Sequence, residues 1–130
     1  MDLNKIIEKL KSSFKDEKIK KEILDEVWYK KNIDSKIDST GFCFVASEII
    51  YRNTGGKNVW ISKSITGEKW NLGPHRFLVN KETKEILDIT SDQYTALGEE
   101  IPYEKGVNAP FHKNFSKGYK ILAEKIGLSN

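Results

Sequence analysis

The sequence holds one cysteine, two histidines, three prolines and one methionine in 130 residues. A single cysteine excludes an internal disulfide, and a structural zinc site would have to form without a cysteine pair. No wholly apolar stretch exceeds a few residues, so nothing in it is long enough to span a membrane. The opening Met1-Asp2-Leu3-Asn4-Lys5 runs on into amphipathic sequence, which does not read as a secretory signal. With a lone reduced thiol, that predicts a cytoplasmic location. Charge of one sign is also missing. Residues 1–40 carry ten lysines against nine acids, residues 41–90 seven basic against five acidic side chains, and residues 91–130 five of each. Such interleaving leaves no basic stripe, so a nucleic-acid partner is not expected.

What is present is a globular mixture, 38% apolar, 11% aromatic and 32% charged, which excludes collagen, low-complexity disorder and a disulfide scaffold. The length predicts a single domain over 1–130, burying about 65–70% of its unfolded surface.

Helical spacing comes first. Leu3, Ile6, Ile7, Leu10 and Phe14 define one amphipathic helix with Asp2 as N-cap. Ile19, Ile23, Leu24, Val27 and Trp28 define a second, over about 17–31, with Asp16 as its cap. Together they predict an N-terminal helical hairpin over 1–31. Residues 32–41 are polar and read as a loop. Phe42, Val45, Ala46, Ile49 and Ile50 then mark a buried helix face, N-capped by Thr40 or Ser39 and stopped by Gly55-Gly56. Strand patterns follow over 59–65, 74–80 and 85–90, with short connections that favour an antiparallel meander. Residues 91–114 read as irregular structure lying over the sheet. Ser116 to Gly127 read as a C-terminal helix with Tyr119, Leu122, Ala123 and Ile126 inward. The fold class expected is α+β, an antiparallel sheet packed on the helix that bears Cys43.

That thiol opens a buried helix. The first turn of a helix offers free backbone N–H groups and the positive end of the macrodipole, both of which favour a thiolate and can hold an oxyanion. Gly41 would let the backbone approach a substrate. His75 enters from the second strand and Asp88 from the third. With the turn centred between Glu82 and Thr83, the mirror partner of His75 is Thr90. Asp88, two residues earlier on the same face, can then meet His75 diagonally. Carboxylate, imidazole and thiolate form the arrangement a cysteine nucleophile needs. Taken singly, each residue has a plainer reading. Cys43 can be a small buried hydrophobe, His75 a strand-end histidine and Asp88 an edge residue.

The order helix-borne Cys43, strand-borne His75, strand-borne Asp88 resembles the transglutaminase-like branch of the papain-like cysteine hydrolases. Gly41-Phe42-Cys43-Phe44-Val45-Ala46 is similar to the nucleophile helix, His75-Arg76-Phe77-Leu78-Val79 to the histidine strand and Ile86-Leu87-Asp88-Ile89-Thr90 to the aspartate strand. The wider set, with Asp92-Gln93-Tyr94 and Pro102-Tyr103-Glu104-Lys105-Gly106, resembles a group of small uncharacterised bacterial and phage proteins. Arg76 replaces a small residue and Ile89 a proline, and no upstream glutamine supplies an oxyanion donor. The resemblance spans about 41–106 and implies a catalytic core over 40–106, beside the hairpin and a helix over 115–127.

It also implies a Cys43-His75-Asp88 triad performing amide hydrolysis or acyl transfer on a protein or peptide substrate. The Cys43 N–H and a donor near Ser39–Gly41 would hold the oxyanion. Thr40, Gly41 and Gln93 are the further candidates around the site, and Trp60 and Trp70 could wall a groove or simply pack. No cofactor and no metal are expected. Glu48 and the lysines at 57, 63 and 69 read as solvent-facing, and His112 as a loop residue. The alternative is an inert binding protein for a peptide or small ligand on the same scaffold, such as a phage-type inhibitor or sequestering protein.

Overall fold

Three acidic caps organise the first third of the chain. Asp2 accepts from the Lys5 N–H and opens α1 (Leu3–Ser13). Asp16 accepts from the Lys18 and Ile19 N–H groups and opens α2 (Glu17–Ile23). Asp25 accepts from the Trp28 N–H at 2.8 Å and opens α3 (Glu26–Ser35). Each carboxylate satisfies a donor that the helix leaves unpaired and sits at the positive end of its dipole. The computed structural model describes residues 1–128.

The expected hairpin is therefore three helices. The second helix breaks at Leu24, whose backbone is extended with φ −81° and ψ 137°. Leu24 is buried over Gly41, where a Cβ would lie 2.9 Å from Leu24 Cδ2. Burying a leucine side chain contributes about 1.5–3 kcal/mol, more than the roughly 0.5–1.5 kcal/mol of one backbone hydrogen bond. Val27 consequently leaves the buried face and is 62% exposed. Nor are residues 32–41 all loop, because α3 continues through Ser35 and buries Asn32.

Helix α4 (Cys43–Asn53) buries Val45, Ala46, Ile49 and Ile50, with Phe42 fully covered just before it. It ends ahead of Gly55 and Gly56, both at positive φ. Neither Ser39 nor Thr40 caps it. Phe42 occupies that position and no side chain bonds the first turn. The Ser39 hydroxyl instead donates to Asp92, and Thr40 Oγ1 lies 3.1 Å from Ser35 Oγ.

Four strands, β1 (Trp60–Ile65), β2 (His75–Asn80), β3 (Ile86–Leu87) and β4 (Val107–Asn108), form an antiparallel sheet of order β3-β2-β1-β4. Leu78 stands opposite Leu87 and Val79 opposite Ile86. Asn80 Oδ1 accepts from the Glu82 and Thr83 N–H groups and shapes that turn, while Lys84 takes a left-handed φ of 66°. The third strand is shorter than the 85–90 expected, because the chain turns at Asp88 and its carbonyl accepts from the Ser91 N–H. Residues 91–114 are more regular than expected. They hold the short helix α5 (Asp92–Thr95) and β4, which pairs with β1.

Strand alternation divides the core. Trp60 and Leu78 pack with α1, α4 and α6 (Lys117–Lys125). Ile65, Phe77, Tyr94 and Ile101 form a second cluster, with Trp70 and Tyr103 against it. The Ser116 hydroxyl caps α6 by accepting from the Tyr119 N–H. The architecture is α+β. Among the described residues, no helix is long and apolar enough to cross a membrane.

Candidate active site

Cys43 is the first residue of α4 and is half-buried. Among the described residues, the N–H groups of Cys43, Phe44 and Val45 find no acceptor. The positive end of α4 therefore opens at the sulfur. His75 is the first residue of β2 and is 0% exposed. Asp88 follows β3 directly, and its side chain is 4% exposed. His75 Nε2 lies 2.7 Å from Asp88 Oδ2. The Tyr103 hydroxyl donates to the same oxygen, also at 2.7 Å.

Nε2 is engaged by Asp88, Gln93 Nε2 lies 3.4 Å from Nδ1, and Cys43 is close enough to His75 to act on the ring's charge. Burial disfavours charge on the ring. The hydrogen bonds and charges of Asp88 and Cys43 outweigh it, and the His75 pKa is pushed up to about 9.

Gln93 is buried and joins the nucleophile loop to the histidine. Its Oε1 accepts from the Gly41 N–H at 3.2 Å. Its Nε2 donates to Thr90 Oγ1 at 3.1 Å and lies 3.4 Å from His75 Nδ1. No protein-family model, no curated protein and no solved structure matches this chain. What the site can do is therefore read from its own geometry.

Several expectations for the surrounding residues are corrected. Gly41 adopts φ 89°, and the room left by its missing side chain is taken by Leu24 and Trp28, not by open space for a substrate. The Thr40, Gly41 and Phe42 N–H groups are bonded to Ile37 O, Gln93 Oε1 and Ser39 O. The Thr40 and Gly41 N–H groups are therefore taken, while those of the first turn of α4 are free among the described residues. Trp70 stands at the site, edge-on to His75 at 6.3 Å between ring centroids and packed on Tyr94 at 4.5 Å. Trp60 does not. It is buried in the α4-side core, and its Nε1 donates to Thr54 Oγ1. His112 is an exposed loop residue whose carbonyl accepts from Arg52.

Four residues of the site have structural or electrostatic parts that sequence reasoning missed. Asn32 Nδ2 donates to the carbonyls of Asp38 and Thr40, both at 2.9 Å, and so holds the loop before Cys43. Tyr103 buttresses Asp88. Tyr94 packs edge-on to His75 at 5.0 Å. Burial, with the nearby charges of Cys43 and Asp88, pushes its pKa up. Arg76 packs beside the Phe44–Phe111 ring pair, its Cζ 4.9 and 5.0 Å from their centroids. Its Nη1 donates to Ser62 Oγ and to the Ala109 carbonyl. Burial lowers the Arg76 pKa, opposed by the charges of Cys43 and Glu48. The signal for Tyr103 was its place after Pro102 beside the aspartate strand. For Asn32 there was none.

Proposed function

We propose that this protein is a cysteine-dependent amide hydrolase or acyl transferase, built like the transglutaminase-like branch of the papain-like hydrolases. The observation that carries this reading is the buried His75, bonded through Nε2 to Asp88 and within reach of Cys43 at an uncapped helix start. A raised imidazole pKa beside a thiol favours the thiolate–imidazolium pair.

In this reading the Cys43 sulfur bonds to the amide carbonyl carbon, and the first-turn N–H groups of α4 take the charge that develops on oxygen. The C–N bond then breaks as His75 Nδ1 gives its proton to the departing nitrogen. Water, losing its proton to His75, attacks the acyl-enzyme and releases a carboxylic acid and the thiol. An amine in place of water yields a new amide. Asp88 keeps the ring oriented and stabilises its charge throughout.

The competing reading is an inert peptide or small-ligand binder, and the complete burial of the His75 ring is the observation that favours it. Alkylation of Cys43 by iodoacetamide at neutral pH separates the two. The catalytic reading expects the rate to fall about tenfold or more in His75→Ala, since the imidazolium partner of the thiolate is gone. Equal rates in the two proteins would overturn it.

A further inference from the structure

Beside the candidate site, α3 and the chain around α5 enclose a groove of about 540 Å³. Gln93 and Tyr94 belong both to its lining and to the immediate surroundings of His75. The groove therefore lies one layer of side chains away from the imidazole. Its volume lies within the range of about 300–1,000 Å³ typical of ligand sites.

The rest of the lining is unusual for a surface. Trp28, Leu72 and Leu97 converge there, and the two leucines are 37% and 61% exposed. Val27, 62% exposed, precedes Lys31 of the lining by one turn of α3 and extends the apolar lip. Leu72 and Leu97 belong to neither core cluster, while Trp28 packs against the core over Gly41 and carries Lys31 Nζ 4.5 Å from its ring centroid. Exposed hydrophobics that gather around a cleft mark a contact surface, whereas scattered ones do not. The charges at the rim, Lys31, Asp34 and Glu99, are mixed, which argues against selection of a strongly charged ligand.

On the footing of the cysteine-hydrolase reading, we propose that this groove binds a polypeptide segment next to the scissile amide, through a large apolar side chain seated among Trp28, Leu72 and Leu97. Selectivity toward leucine-like residues would come from elements outside the stretch that resembles the hydrolase core, since α3 supplies one wall.

The test is protection of Cys43 from iodoacetamide by two Gly/Ser decapeptides, one with a central Leu-Leu and the other with Asp-Asp. Within each protein the rate with peptide is divided by the rate without it. The leucine peptide at about 1 mM is expected to slow wild-type alkylation about threefold, the protection given by a dissociation constant near half that concentration. The aspartate peptide is expected to leave the rate unchanged, and Leu97→Asp to bring the leucine ratio back to one. Because Leu97 is well exposed, that substitution spares the core. Equal protection by both peptides, none by either, or full protection in Leu97→Asp would overturn the groove assignment. Failure of the catalytic reading looks different, because it appears as alkylation that does not depend on His75. Peptide binding, followed by anisotropy of fluorescein-labelled peptides, would then still report on the groove.

Discussion

His75 Nε2 and Asp88 Oδ2 stand 2.7 Å apart across β2 and the end of β3, and thirteen residues of chain separate them. The turn length produces this approach. The Leu78–Leu87 and Val79–Ile86 pairs, extended to the strand start, put position 90 opposite His75 and Asp88 on the diagonal. One residue more or less in the turn would send the carboxylate to the other face. Tyr103, from the chain that crosses this face, then closes on the same oxygen.

The first prediction concerns pH. The His75 pKa is about 9 in the folded protein, against an ordinary value of 6.5. The folded state therefore holds its proton more tightly than the unfolded chain. The resulting stabilisation is complete below about pH 6.5 and is lost as pH rises through about 9, in total on the order of 3 kcal/mol. Urea denaturation near pH 6 and pH 10 should show a larger alkaline loss of stability in wild type than in His75→Gln. Equal losses would mean that the ring is neutral in the folded protein.

How much of this was legible beforehand differs by element. The β2–β3 register follows from counting outward from one turn, so the His75–Asp88 pair could be anticipated. The break between α2 and α3 could not. The apolar spacing runs unbroken from Ile19 to Trp28, and the fit of Leu24 over Gly41, seventeen positions away, joins the Asp25 cap in deciding against a continuous helix. Asn32 shows the same limit. Its neighbours are polar and loop-like, yet the carbonyls of Asp38 and Thr40 draw its amide inward. Gln93 was placed near the site, but its bond to the Gly41 N–H, which takes one of the loop donors expected for an oxyanion, depends on a contact 52 residues apart. β4 spans two residues, too few for any pattern to register.

A second prediction uses Arg76, a cation packed against two aromatic rings within electrostatic reach of Cys43. Removing its charge weakens the field favouring a thiolate by about 1 kcal/mol, which is roughly fivefold in reactivity. Arg76→Met should slow iodoacetamide alkylation at neutral pH by about that factor, and Arg76→Lys should recover part of it. An unchanged rate in Arg76→Met would show that the guanidinium serves only to tie Ser62 to Ala109.

The third prediction follows from Glu48, which the helical pattern turned toward solvent and the structure buries to 1% exposure. Its carboxylate takes Arg52 Nε at 2.8 Å, the Ser116 N–H at 3.2 Å and the Ser116 hydroxyl. Arg52 in turn donates to the His112 and Asn114 carbonyls. One buried acid therefore joins α4 to the segment leading into α6. Removing it strands a partly buried guanidinium and a cap hydroxyl, so Glu48→Ala should cost about 3–5 kcal/mol. Glu48→Gln keeps an acceptor for Ser116 and should cost only about 1–2 kcal/mol. Urea midpoints give both values, and amide exchange should speed up over residues 112–117 in Glu48→Ala. A loss of stability without faster exchange there would place the effect in α4 and not at the segment leading into α6.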